Sequence, residues 1–206
     1  MIQGDVSASD MIYGAAVLVV ALPAFYFVGR VIGRIKNGKF ERAWRPIMPV
    51  IEGATVHVDR AGAAASSRLT GSYRGRSVVA EMAPDMSRSG SYDETGYENR
   101  WDVGVSEVPG AHDWTVRWKD AILGMGTTGW SISSEDDSLV ERLERAGIRD
   151  IVAPLGRGDI NYLASDRTLS LHEDIRPMWA PGPVRFKQEL DVLVALAAAV
   201  APLNTR

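Results

Sequence analysis

Gly124, Gly126 and Gly129 stand at the spacing of a G-x-G-x-x-G loop, the arrangement that cradles a dinucleotide pyrophosphate. Ala121-Ile122-Leu123 is positioned to end a strand before it, and Asp150 lies 21 residues past the last glycine, within the range of a ribose-binding acid. That chemistry requires a helix to begin inside the glycines, so that its N-terminus holds the phosphates. Here Trp130-Ser131-Ile132-Ser133 follows and alternates like a strand, with helical character only near Ser134. The glycines therefore read as a turn between two strands. A membrane-anchored ligand- or nucleotide-binding domain using the Gly124–Gly129 loop is the alternative function that the motif keeps in view.

Other reactive residues converge less. His57, His112 and His172 are far apart, and none has a second ligand at helical spacing, so no metal ligand is assigned. His172-Glu173-Asp174 reads as a solvated strand end. Asp93-Glu94 falls in a Ser- and Gly-rich loop, and Asp136-Asp137 in the first turn of a helix, where the macrodipole accounts for it. Gly156-Arg157-Gly158-Asp159 contains Arg-Gly-Asp, which reads as a loop beside a hairpin. There is no G-x-S-x-G, Walker loop, H-E-x-x-H or EF-hand pattern. No catalytic residue, cofactor or metal is predicted.

The elements that would carry these residues divide at one feature. Among 206 residues, Met11 to Gly29 form 19 consecutive positions without a charge. At about 1.5 Å per residue a helix of that length covers roughly 28 Å, the thickness of a bilayer's hydrocarbon. Tyr13 and Tyr26 near its ends suit the headgroup level. Met1–Asp10 holds no Lys or Arg, which argues against a cleaved signal peptide. Beyond the span come Arg30, Arg34, Lys36, Lys39, Arg42 and Arg45, opposed only by Glu41. The positive-inside rule places residues 1–10 outside, in the periplasm of an inner-membrane protein, and the rest in the cytoplasm. The basic segment 30–50 would also meet anionic lipid headgroups. Gly14 and Ala15 offer close approach to another membrane helix.

Residues 51–206 read as a single α+β domain of mostly antiparallel sheet with two helices, the last closing it. The chain has 26 acidic and 23 basic residues and no cysteine, which excludes disulfide frameworks, thiolate metal sites and cysteine nucleophiles. A net charge of −3, falling to −6 once residues 1–45 are set aside, argues against a nucleic-acid partner. Strand alternation runs through 55–59, 68–73, 76–82, 101–105 and 114–119, with Arg74-Gly75 as a two-residue hairpin loop. Ser134 is expected to cap a helix that Gly147 ends. A hairpin follows at 160–172, and a helix from Pro183 to about Ala201 buries Phe186, Leu190, Leu193, Ala197 and Val200.

The stretch from Gly129 to Leu203, with Trp130–Ile132, Ser134–Ala146, Ile160–His172 and Pro183–Ala201, resembles uncharacterised bacterial single-span, membrane-anchored α+β domains. The Leu69–Arg76 hairpin is similar in kind. The resemblance implies a fold and no activity. With catalysis quiet and six Trp in the chain, Trp44 and Trp179 are expected at an interface. The function expected is a non-catalytic accessory subunit of a larger bacterial membrane complex, respiratory or photosynthetic, braced against its integral membrane subunits.

Overall fold

Alternating apolar and polar side chains with glycine at tight turns build a sheet that is greasy on one face and wet on the other. The computed structural model describes residues 41–61, 64–84, 99–119, 128–175, 180–201 and 203. The span at 11–29, its flanks from Met1 to Lys39, Gly124, Gly126, the Asp93-Glu94 pair and Trp179 lie outside these residues. Among the described residues no helix is long and apolar enough to cross a membrane.

The strands are β1 (Glu52–Ala61), β2 (Ala64–Tyr73), β3 (Arg76–Pro84), β4 (Asn99–Val105), β5 (Trp114–Lys119), β6 (Gly129–Ser134), β7 (Asp159–Leu163) and β8 (Thr168–Ile175). They form one sheet in the order β1-β2-β3-β4-β8-β7-β5-β6. Every pairing is antiparallel. β1 to β4 form a meander, and the β7–β8 hairpin then inserts between β4 and β5. Arg74 and Gly75, at φ 50° and 78°, make the β2–β3 connection. Both central residues having positive φ matches the type I′ turn, whose twist suits a hairpin.

Residues 41–44 are helical, and the further helices are α1 (Asp137–Arg145), the short α2 (Ile148–Val152) and α3 (Pro183–Val200), more than the two expected. The expected cap at Ser134 is corrected. Ser134 ends β6 opposite Trp114 and donates its hydroxyl to the Asp113 carbonyl, 2.7 Å. Asp136 is the N-cap instead, accepting from the Ser138 N–H at 2.9 Å. That hydrogen bonding, first from the Ser138 hydroxyl, holds its carboxyl below the usual value. Gly147, at φ 72°, ends α1 as expected.

Leu69, Val78, Ala80, Met82, Val103, Ile160 and Leu171 line the inner face of the sheet and are fully or almost fully buried. α3 covers the middle of that face with Phe186, Leu190, Leu193, Leu196 and Val200, none of them exposed. Each such apolar side chain contributes about 1.5–3 kcal/mol by leaving water. Val184, 82% exposed, and Ala195 and Ala198 lie on the solvent side of the same helix.

The compact unit begins at Arg42. Trp44, read as an interface residue in a connector, is a core residue: it is completely buried, donates to the Ser67 hydroxyl at 2.9 Å, and lies 5.4 Å from the Trp101 ring. Ile47 is buried with it. Arg42 and Arg45 of the basic segment 30–50 are exposed.

Candidate functional site

The β4–β8 register sets Trp101 directly opposite Glu173 on the inner face. Pro183 in the first turn of α3, where its missing N–H costs nothing, starts the helix that passes over them. Arg185 and Glu189, four residues apart, share the helix side facing the sheet. Four side chains from three elements thereby meet. Trp101 Nε1 donates to Glu189 Oε2 at 3.0 Å, and Arg185 Nε donates to Glu189 Oε1 at 2.8 Å. Arg185 Nη2 reaches Glu173 Oε1 at 2.5 Å, and Nη1 reaches the Leu155 carbonyl at 2.7 Å. Leu155 lies in the 3-10 turn Ala153–Leu155.

Glu189 is completely buried and Glu173 is 7% exposed. Two carboxylates share one guanidinium. Burial pushes the Glu189 carboxyl up to about 7, with the negative Glu173 adding to it, against the pull of Trp101 and Arg185. Beside this network opens a cleft of about 560 Å³ lined by Leu155, Gly156, Arg157, Glu173, Ile175, Pro181 and Arg185. Its chemistry is recognition by charge and hydrogen bonds. Among the described residues that line it there is no hydroxyl, thiol or imidazole to act as a nucleophile.

Reading Glu173 as part of a solvated strand end is therefore corrected, and Glu189 and Arg185 were not singled out by pattern. A signal existed for Glu173: it has the parity of Leu169 and Leu171, the buried positions of β8.

Gly158, which precedes β7, sits at φ 117°, and a Cβ there would lie 2.8 Å from Leu171 Cδ1 and 3.1 Å from Glu173 Cγ. The Arg-Gly-Asp segment is thus a turn pressed against β8, as the loop reading expected, and its glycine has a packing reason.

The outer face carries two rows. Strand pairing aligns His57, Arg68, Glu81, Asp102, His172, Asp159, Arg117 and Ser131 across all eight strands. Neighbours pair within the row: Arg68 with Glu81 at 3.2 Å, His172 with Asp102 at 2.8 Å and Arg117 with Asp159 at 3.0 Å. The bond to Asp102 raises the His172 pKa, against partial burial. A parallel row of Thr55, Thr70, Val79, Gly104, Ser170, Asn161, Thr115 and Ser133 is largely uncharged and hydroxyl-rich. Val79 and Leu163, 37% and 44% exposed, are large apolar side chains on this face.

The remaining candidates do not gather. His57 is exposed on β1 and His112 lies in the bend before β5. Among the described residues no group of three His, Asp or Glu side chains is arranged to hold a metal ion. Of the glycine loop, only Gly129 is described, and it opens β6, so a strand and not a helix N-terminus follows the glycines. No protein-family model, curated protein or solved structure matches the chain.

Proposed function

We propose that the chain is a non-catalytic accessory subunit of a larger bacterial membrane complex, of the respiratory or photosynthetic kind. In this reading the span at Met11–Gly29 anchors it among integral membrane subunits, with Gly14 and Ala15 at the helix contact. The basic collar, from Arg30 to Arg45, rests on anionic headgroups, and the domain braces the complex from the cytoplasm.

The observation that carries the reading is the outer face of the sheet. Seven strand spacings make it about 34 Å wide. Its side chains are exposed or half-buried, Arg68 and Arg117 are paired with Glu81 and Asp159 and His172 with Asp102, and two large apolar side chains stand among its hydroxyls. A broad surface whose central charges are internally paired docks against a protein with few isolated ions in the contact. It does not converge on a reacting atom.

The test is purification of the full chain in mild detergent at native expression, beside a Val79→Glu, Leu163→Glu double variant. Integral membrane subunits should co-purify with the parent chain and be lost from the variant. Recovery of the parent chain only as a free monomer overturns the proposal.

A further inference from the structure

The cleft beside Arg185 has the size of a small-molecule site, which typically runs from about 300 to 1,000 Å³. Leu155, Ile175 and Pro181 supply apolar wall, and Arg157, Arg185 and Glu173 supply charge. Arg185 is held from three sides by Glu189, Glu173 and the Leu155 carbonyl, yet its side chain stays 30% exposed. Of the five N–H donors of a guanidinium, these bonds use three. A buried set of two carboxylates and one arginine is a poor way to stabilise a core, because apolar residues of the same volume do as well or better. It is an effective way to fix a guanidinium fork before a ligand arrives, so that little freedom is lost on binding.

We infer that this cleft binds a small monocarboxylate with an apolar body, its carboxylate taken between Arg185 and Arg157 and its hydrocarbon against Leu155, Ile175 and Pro181. Guanidinium groups match carboxylate geometry through paired N–H donors. Arg157 stands between Gly156 and Gly158, at φ 77° and 117°, in the turn pinned against Leu171 and Glu173. Glu173 narrows the choice of ligand. It lines the cleft as an anion paired to Arg185, and repulsion from it disfavours a dianion such as phosphate. Below neutrality Glu189 carries a proton, so that among the described residues lining the cleft the guanidinium groups of Arg185 and Arg157 face one carboxylate, Glu173. As Glu189 ionises through about 7 the site loses positive charge, and carboxylate affinity falls with it.

The experiment uses the full chain in nanodiscs, titrated with hexanoate, hexan-1-ol and hexylamine by ligand-observed NMR against empty nanodiscs. Hexanoate should saturate, the alcohol and amine should not, and affinity should weaken severalfold from pH 6 to pH 8. Arg157→Glu, on an exposed side chain outside the core, should weaken hexanoate at least tenfold while unfolding like the parent. Oleate placed in the nanodisc separates the two sources of such a carboxylate. Competition assigns the ligand to a bilayer fatty acid, and none assigns it to a soluble metabolite. Non-saturating hexanoate, equal binding of hexan-1-ol, or unchanged affinity in Arg157→Glu overturns the inference.

Discussion

Glu189 sets burial against hydrogen bonding, and burial prevails. With its carboxyl at about 7 in the fold against about 4.5 in an unfolded chain, the folded state holds a proton that the unfolded state releases between those values. Stability therefore falls as pH rises from about 4.5 to 7, by roughly 3 kcal/mol at about 1.4 kcal/mol per pH unit. A carboxyl-carbon NMR titration should place the Glu189 midpoint near 7, and Glu189→Gln should flatten the unfolding free energy over that window. A slope unchanged in the variant would assign the titration elsewhere. His172 acts in the same direction through a base. Its stabilisation by Asp102 is complete below about 6.5 and is lost as pH rises through its raised folded value. Asp102→Asn should return the His172 NMR midpoint toward 6.5 and leave Glu189 alone. Removing Arg185 is a different matter, since Arg185→Ala leaves Glu173 and Glu189 without their cation. Loss of one partner from a buried pair costs about 3–5 kcal/mol, to be read by urea denaturation at pH 7.

Elements explain which of these residues could be seen beforehand. Alternation exposed most strands because one face of the sheet is wet, so each strand repeats its parity. The same parity held the signal for Glu173, but a charge near a strand end looks the same whether solvated or buried until the helix above it is placed. Glu189 follows the same logic, since its burial depends on Trp101, 88 residues away in sequence. The insertion of the β7–β8 hairpin between β4 and β5 leaves no local trace, because hairpin periodicity is independent of which strand it joins. α2 has five residues, too few for a 3.6-residue pattern to declare itself. Trp44 escapes notice for a related reason: it lies among the cations of the basic segment, and only the tertiary contact with Ser67 and Trp101 draws it inside. The β7 turn gives this scale its test. Gly158→Ala must accept a left-handed backbone and a clash with Leu171, about 3 kcal/mol together. Gly147→Ala must also accept a left-handed backbone but meets only an ordinary contact with Asp150, and should cost about 1 kcal/mol. Urea unfolding of the two variants should rank them in that order.

At the scale of the molecule, the proposed function stands on direction: the domain braces a complex from the cytoplasm only if the charges after Gly29 stay inside. Six cations against one anion follow the uncharged stretch, and no cation precedes it. Each cation near an anionic leaflet is worth about 1 kcal/mol, so together they favour one orientation strongly. The chain contains no cysteine, which makes the orientation directly measurable, because any introduced thiol is the sole one. Ser9→Cys lies in the short N-terminal stretch, and Ala195→Cys lies on the exposed side of α3. A membrane-impermeant maleimide applied to spheroplasts should label Ser9→Cys at once and Ala195→Cys only after the membrane is broken. Replacing Arg30, Arg34, Lys36 and Lys39 together with Gln should erode that contrast, since Arg42 and Arg45 alone then oppose Glu41. The opposite labelling pattern would move the outer sheet face to the periplasm and remove the cytoplasmic bracing role. It would leave the Arg185 cleft untouched, because that site depends on α3 and β8 and not on which side of the membrane they stand.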